Sequence, residues 1–192
     1  EHYHDRDPAD ADAAVYQRLV RDISGTDLGA CVSVKPSQVG LGVDDDVLKD
    51  NMADIVNAAR EEDVLVWMDM EDPGTVDVTL DTYESLVRDY PKMGLCVQAN
   101  LKRTREDLER LTDYPGKVRL VKGAYEPSRG EGYRDRSRVN ESYREYLEYL
   151  FREHEGTVAV GSHDPAMIDH AIELHDAYGT DFEIQMLMGC LL

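Results

Sequence analysis

The stretch VRLVKG, residues Val118 to Gly123, shows the pattern that decides the fold of this chain. A short apolar run ends at a cation and a glycine, with little of the period-two polarity of a half-exposed strand. Such a run is typical of a strand covered on both faces. The same pattern recurs, and we predict six strands, at Ala30–Val34, Val64–Met68, Gly94–Gln98, Val118–Val121, Thr157–Gly161 and Phe182–Leu187.

Longer amphipathic segments lie between these runs. Asp7 before Pro8 and Asp164 before Pro165 are typical of helix starts, because a capping side chain is followed by a proline in the first turn. We predict helices at Pro8–Ser24, Asp46–Glu62, Val76–Asp89, Arg105–Thr112, Ser137–His154 and Pro165–Ala177.

The alternation of strand and helix builds either a doubly wound sheet or a (βα)8 barrel. No Gly-rich phosphate fingerprint follows the first strand, and polar residues gather at the carboxyl ends of the strands, where barrels build active sites. We therefore predict the α/β class and an incomplete (βα)8 TIM-like barrel with about six of its eight strands. We expect residues 1–192 to form a single partial barrel domain that lacks the first strand and the final strand-helix unit.

Composition excludes several classes of protein. The 192 residues carry a formal net charge of −19, which argues against a nucleic-acid partner, and 42% hydrophobic residues predict a packed core. No apolar run reaches the ~18 residues of a spanning helix. Because molar salt shortens the Debye length to about 3 Å and screens such charge, we expect a cytoplasmic protein from a salt-rich cell; an ordinary acidic protein is the alternative.

Cysteine and histidine give no metal signal. Cys31, Cys96 and Cys190 are far apart, form no CxxC pair, and are predicted to be buried, reduced thiols. His2 and His4 could bind a metal, but no other ligand cluster supports it. We predict no metal site.

The strand ends carry the candidate functional residues. Each taken alone also has a structural interpretation: Lys35 as a solvated lysine, Arg119 as a salt-bridge partner, His163 as a loop histidine, and the acidic turn at Asp69 as a solvated one. A barrel would bring these residues together at one rim. In chain order they are Lys35, Asp69, Gln98, Arg119, Lys122, Ser162, His163, Gln185 and Leu187.

Six strings in the same order resemble the proline dehydrogenase family, and together they cover nearly the whole chain. RLVKGAYEP and FEIQMLMG are the most specific of them, and the acidic turn is the least specific. The strings are SVKPSQVGL (33–41), MDMED (68–72), VQANLKRT (97–104), RLVKGAYEP (119–127), GSHD (161–164) and FEIQMLMG (182–189).

The resemblance implies a distorted barrel that binds FAD and oxidises L-proline to 1-pyrroline-5-carboxylate, with electrons passing to a membrane quinone. It thereby implies peripheral contact with the membrane and is compatible with an oligomer. It implies that Lys35 approaches the proline carboxylate, that Asp69 supports that site, and that Tyr125 and Leu187 line the pocket. The residues that it implies for FAD are Met70, Gln98, Arg119, Lys122, Gly123, Ala124, Ser162, His163 and Gln185.

Two alternatives to this reading stay open. A Schiff-base aldolase on the same barrel would use Lys35 or Lys122 as nucleophile. A non-catalytic acidic module or decayed barrel would bind nothing. The family's last helix carries arginines that grip the proline carboxylate, and this sequence stops before it, so we also expect a truncated product with weak or absent turnover alone.

Overall fold

The computed structural model describes residues 5–189, where six strands alternate with six α-helices. The strands are β1 Val32–Val34, β2 Val66–Met68, β3 Met93–Gln98, β4 Lys117–Val121, β5 Val158–Gly161 and β6 Phe182–Gln185. The helices are α1 Arg6–Ser24, α2 Asp45–Glu62, α3 Val76–Val87, α4 Thr104–Leu111, α5 Arg136–Glu153 and α6 Pro165–Tyr178. The chain divides into two compact units, a first unit of Glu1–Leu95 and a second unit of Cys96–Leu192, and the boundary falls within β3.

The first unit is built on parallel pairing of β1 with β2 and of β2 with the start of β3, with Val34 beside Met68 and Met68 beside Leu95. Trp67 of β2 is fully buried and lies over Gly94 of β3, where an added Cβ would come within 2.4 Å of the indole ring. This strand position therefore requires glycine, since a close-packed interior cannot absorb such an overlap.

Helices α1 and α2 pack against each other in the same unit. Helix α1 buries Ala9, Ala13 and Val20, which lie on one stripe because they are four and seven residues apart. Helix α2 begins at Asp44, whose side chain accepts a hydrogen bond from the Asp46 amide, and ends at Asp63 in the left-handed conformation. Both ends of α2 thus satisfy backbone groups that the helix itself leaves unpaired.

The second unit pairs β4 with β5 and β5 with β6, again in parallel. The residues that follow β3 run beside β4, because the amide of Ala99 donates to the carbonyl of Val121 and that of Asn100 to the carbonyl of Lys122. Helix α5 covers one face of this sheet, where the buried Tyr143 hydroxyl donates to the Leu120 carbonyl.

These observations confirm the predicted α/β class and correct three local predictions. The cap of α1 is Asp5 rather than Asp7, because the helix already begins at Arg6. Residues Ala30 and Cys31 precede β1, and Cys31 is exposed, whereas Cys96 is buried as predicted. Of the two predicted caps, Asp164 is correct: its side chain accepts from the Ala166 amide, with Pro165 as the first residue of α6.

His2, His4 and Cys190 lie outside the described residues. Among the helices within residues 5–189, none has both the length and the apolar character needed to cross a membrane.

Candidate active site

In the first unit, two strand ends meet in an ion pair. Lys35 follows β1 and Asp69 follows β2, and the Lys35 ammonium lies 3.1 Å from the Asp69 carboxylate. The other carboxylate oxygen accepts from the Ser33 hydroxyl at 2.9 Å. The Lys35 side chain is 52% exposed and that of Asp69 is 19% exposed, so the cation faces solvent while its partner is largely covered. The structure thus pairs Asp69 with Lys35.

The acidic turn after β2 is not a solvated turn, because Glu71 is only 3% exposed. Its two carboxylate oxygens accept from the backbone amide and the hydroxyl of Ser37, at 2.7 and 2.8 Å. A buried carboxylate with such donors is strongly favoured over an unpaired one. Glu71 therefore ties the turn that carries Lys35 to the turn that carries Asp69. Sequence reasoning missed this role, and MDMED contains no signal that separates Glu71 from its acidic neighbours.

Tyr16 is a second residue that sequence reasoning missed in this unit. Its hydroxyl donates to the Gln38 side chain at 2.5 Å and accepts a long hydrogen bond from the Lys35 amide at 3.4 Å. Burial raises the pKa of Tyr16, so the hydroxyl stays protonated and donating at neutral pH. Met70, between Asp69 and Glu71, is buried at 7% exposure.

In the second unit, Arg119 and Gln185 meet across β5. Arg119 lies on β4 and Gln185 on β6, and the Arg119 Nη1 donates to the Gln185 Oε1 at 2.9 Å. A charged side chain within an apolar run needs a polar partner, and this contact supplies one.

Lys122 follows β4 and donates to the Asp164 carboxylate at 2.6 Å. The hydrogen bond from Lys122 is the main cause of a lowered pKa for Asp164, whose other oxygen caps α6. Because the pKa is lowered, this contact stabilises the fold at pH values above the ordinary pKa of a carboxyl group. The stabilisation is lost as the pH falls through the lowered pKa of Asp164. Asp164 thus connects the end of β4 to the start of α6.

Gly123 turns the chain after Lys122 with φ of 105°, a conformation that favours glycine. An added Cβ there would lie 2.1 Å from the Oδ1 of Asn100, whose Nδ2 donates to the Tyr125 carbonyl at 2.8 Å. The loop that contains Gly123, Ala124 and Tyr125 is therefore shaped around the Asn100 side chain.

A pocket of about 380 Å³ opens beside this loop, wholly within the second unit. Lys102 and Arg138 lie 5.8 and 5.5 Å from the centre of the Tyr133 ring, which forms part of its wall. Arginines cluster at the start of α5 in a chain of net charge −19, and this basic run is the sequence signal that would have indicated the pocket. The lining includes Asn100, Lys122, Gly123, Tyr125, Tyr133, Arg134 and Arg136.

The remaining predicted residues of this unit differ in exposure. Gln98 and Ser162 are buried, at 2% and 7%, whereas Leu187 is 73% exposed and forms no buried wall. The Leu187 amide donates to the His163 Nε2 at 2.8 Å. A neutral imidazole that accepts at Nε2 carries its proton on Nδ1, and this buried nitrogen has no hydrogen-bond partner among residues 5–189.

Comparison with known proteins gives consistent matches. A profile of the family described as Proline dehydrogenase matches residues 3–190. The chain is 33% identical over 176 residues to proline dehydrogenase 2 of Bacillus subtilis (strain 168). This match covers 90% of the chain and 57% of that protein. It is 32% identical over 180 residues to proline dehydrogenase of Deinococcus radiodurans, and this match covers 90% of the chain and 58% of that protein. The chain therefore spans somewhat more than half the length of these curated relatives.

Solved structures give the same fold. Proline utilization A from Bdellovibrio bacteriovorus, inactivated by N-propargylglycine, matches with a TM-score of 0.87 and 22% identity, covering 98% of this chain and 25% of that one. A Bradyrhizobium japonicum proline utilization A mutant matches with a TM-score of 0.82 and 19% identity. This match covers 98% of this chain and 23% of that one. This likeness confirms the predicted fold class, a partial TIM-like barrel with six parallel strands in residues 5–189.

Proposed function

The chain belongs to the proline dehydrogenase family, and from this premise we propose that it is the barrel part of an enzyme that uses FAD to oxidise L-proline to 1-pyrroline-5-carboxylate, the first step of proline breakdown. The observation that carries the proposal is the pocket of the second unit, which is lined by Lys122, Gly123, Arg134 and Arg136 and is therefore rich in cations. The family match over residues 3–190 also supports a single partial barrel domain.

The residues present fit FAD. Its diphosphate needs cations and close backbone approach, and the pocket offers Lys122, Arg134 and Arg136 together with Gly123 at positive φ. A large planar ring system needs aromatic or apolar walls, and Tyr125 and Tyr133 line the same pocket. We propose that Gln98, Ala124, Ser162, His163 and Gln185 also bind the cofactor, and we propose the same role for Met70.

When bound, FAD supplies the hydride acceptor of this chemistry. The task of Arg119 is to hold a fixed positive charge where negative charge develops, and Gln185 keeps its guanidinium in one direction. Lys35 offers an exposed cation for the proline carboxylate, and Asp69 fixes that cation from the side. Tyr125 and Leu187 are proposed to contact the proline ring.

The Schiff-base alternative receives no support from the two lysines that it requires. Lys35 pairs with Asp69 and Lys122 pairs with Asp164. A Schiff-base nucleophile must be a neutral amine, and both of these amines are instead held in ion pairs.

We propose that electrons leave to a membrane quinone, so that the protein works in the cytoplasm with peripheral contact to the membrane and with an oligomer as a compatible state. We further propose a salt-rich cytoplasm, since the net charge of −19 is self-repelling unless salt screens it. The melting temperature should then rise from dilute buffer to molar potassium chloride. An unchanged or lower value would contradict the salt proposal and leave the enzymatic one standing.

The cofactor proposal is tested by adding FAD to the purified chain and recording the visible spectrum and the quenching of flavin fluorescence. We expect saturable binding at one FAD per chain, weakened by Arg119→Lys. The matched control is Arg105→Lys, because Arg105 is ion-paired to Glu109 on an exposed helix face. Absence of a saturable change in the flavin spectrum or fluorescence would refute the cofactor proposal, and equal binding by both variants would refute the assignment of Arg119.

A further inference from the structure

Four polar side chains form a connected row across the sheet of the second unit, and we name it the β5 ladder: Lys117, Glu183, Gln185 and Arg119. The Lys117 Nζ donates to the Glu183 Oε2 at 2.9 Å. The Gln185 Nε2 donates to the Glu183 Oε1 at 2.7 Å. The Arg119 Nη1 donates to the Gln185 Oε1 at 2.9 Å. The ladder therefore begins at a residue outside the predicted cofactor set and ends at Arg119.

The ladder can form because β5 carries small residues beneath it. Arg119 is in register with Ala159, and Ala159 with Glu183, so strand β5 lies between the two ends of the Lys117–Glu183 and Arg119–Gln185 contacts. At Gly161, which pairs with Gln185, an added Cβ would come within 2.7 Å of the Val121 side chain and 3.4 Å of the Arg119 Cγ. Side chains of β4 and β6 thus meet over β5 without an obstructing neighbour.

The chemistry of the end groups fixes the orientation of the Gln185 amide. A carboxylate only accepts hydrogen bonds and a guanidinium only donates them, whereas an amide offers one end of each kind. Glu183 therefore draws the Nε2 end, which leaves the Oε1 end toward Arg119. Without the carboxylate, the amide could rotate and present its donor end to a guanidinium, a contact that is repulsive.

Lys117 sets the position of Glu183 in turn. The two side chains are 28% and 37% exposed, so the pair is partly shielded from solvent. Each Glu183 oxygen then has its own donor, Lys117 on one side and Gln185 on the other, and this holds the carboxylate plane in one direction.

We propose that Lys117 and Glu183 are positioning residues that orient the Gln185 amide and, through it, direct the Arg119 guanidinium. The part of this inference that concerns the flavin rests on the proposed function, whereas the orientation of Arg119 does not. Neither residue touches the reacting atoms; both act through Gln185.

The orientation is tested without any cofactor. Nuclear magnetic resonance of the full chain measures how fast the Arg119 guanidinium rotates, with its signals assigned by their loss in Arg119→Lys. We expect Glu183→Gln and Lys117→Met to accelerate this rotation several-fold, and Lys117→Arg, which keeps the cation, to restore the wild-type rate. Glu109→Gln is the matched control, since it makes the same change in the exposed Arg105–Glu109 pair.

The second readout is FAD affinity together with the reduction potential of the bound flavin. We expect Glu183→Gln to weaken FAD binding roughly 3- to 10-fold, the effect of one lost hydrogen bond, and to make the potential more negative, because a loosened cation stabilises the reduced form less. Glu109→Gln should leave both values unchanged.

The outcomes separate the two proposals. If the wild-type chain binds no FAD, the proposed function fails while the rotation rates still decide the ladder. Unchanged rotation in both Glu183→Gln and Lys117→Met overturns the inference even when FAD binds. Faster rotation with unaltered affinity and potential overturns its flavin part. Should Glu183→Gln fail to fold, Lys117→Met and Lys117→Arg decide the matter by themselves.

Discussion

Replacing Gly123 by alanine gives the sharpest test of how the loop after β4 is built. Gly123 has φ of 105°, and Gly130, in the same unit, has φ of 98°. Alanine at either position adopts an unfavourable backbone conformation at a cost of about 1–3 kcal/mol. The two sites differ in their surroundings, because a Cβ at Gly123 would meet Asn100 at 2.1 Å, whereas one at Gly130 would meet nothing within 4 Å.

The contact with Asn100 sets the expected difference between the two variants. Asn100 is 5% exposed, and its Nδ2 donates to the Tyr125 carbonyl at 2.8 Å. Gly123→Ala must displace this side chain and break the hydrogen bond of its buried amide, which costs about 1–3 kcal/mol. We therefore expect Gly123→Ala to lower the free energy of unfolding by about 1–3 kcal/mol more than Gly130→Ala does.

Urea denaturation of the two single variants measures this excess, and Asn100→Ala supplies the internal control. In the Asn100→Ala background the obstructing side chain is absent, so Gly123→Ala should cost no more than Gly130→Ala. Equal losses for Gly123→Ala and Gly130→Ala in the wild-type background would show that Asn100 does not obstruct the added methyl group, and so would an excess that persists after Asn100 is removed.

Three further predictions concern buried groups. Glu71→Gln should lower the free energy of unfolding by about 1.5–3 kcal/mol in urea denaturation, because the buried hydrogen bonds from Ser37 lose their charged acceptor; a loss below 0.5 kcal/mol would contradict this. Burial lowers the pKa of His154 below 6.5, so the unfolded state takes up the proton first as the pH falls. Below pH 6.5 the free energy of unfolding of the wild type should therefore fall by up to about 1.4 kcal/mol per pH unit relative to His154→Gln. Parallel profiles of the free energy of unfolding against pH for the two proteins would disprove this. Gly94→Ala should cost at least about 1–3 kcal/mol through its overlap with Trp67, and an unshifted denaturation midpoint would show that the indole can move freely.

Local pattern was sufficient for the elements and for the strand-end positions of the candidate residues. Apolar runs predicted all six strands within residues 5–189 to within two residues at each end, because a strand covered on both faces leaves a continuous apolar signature. The predicted cap at Asp164 is correct, since capping depends on neighbours in the chain. Asp7 was a wrong cap because a proline is tolerated anywhere in the first turn, so its position fixes the start only loosely.

The class of fold and the side chains at the ends of the strands could be predicted from the sequence, because they follow from spacing along the chain, and the family could be predicted because its motifs are short local strings. The sequence could not show which of those side chains are buried or which partners they bond to, because those partners lie far away along the chain. In the sequence, Glu71 cannot be distinguished from an exposed glutamate. In the structure it is buried and bonded to Ser37, which lies 34 positions away. The β5 ladder likewise joins residues 66 positions apart, and it exists because the strand register places two small residues of β5, Ala159 and Gly161, between them.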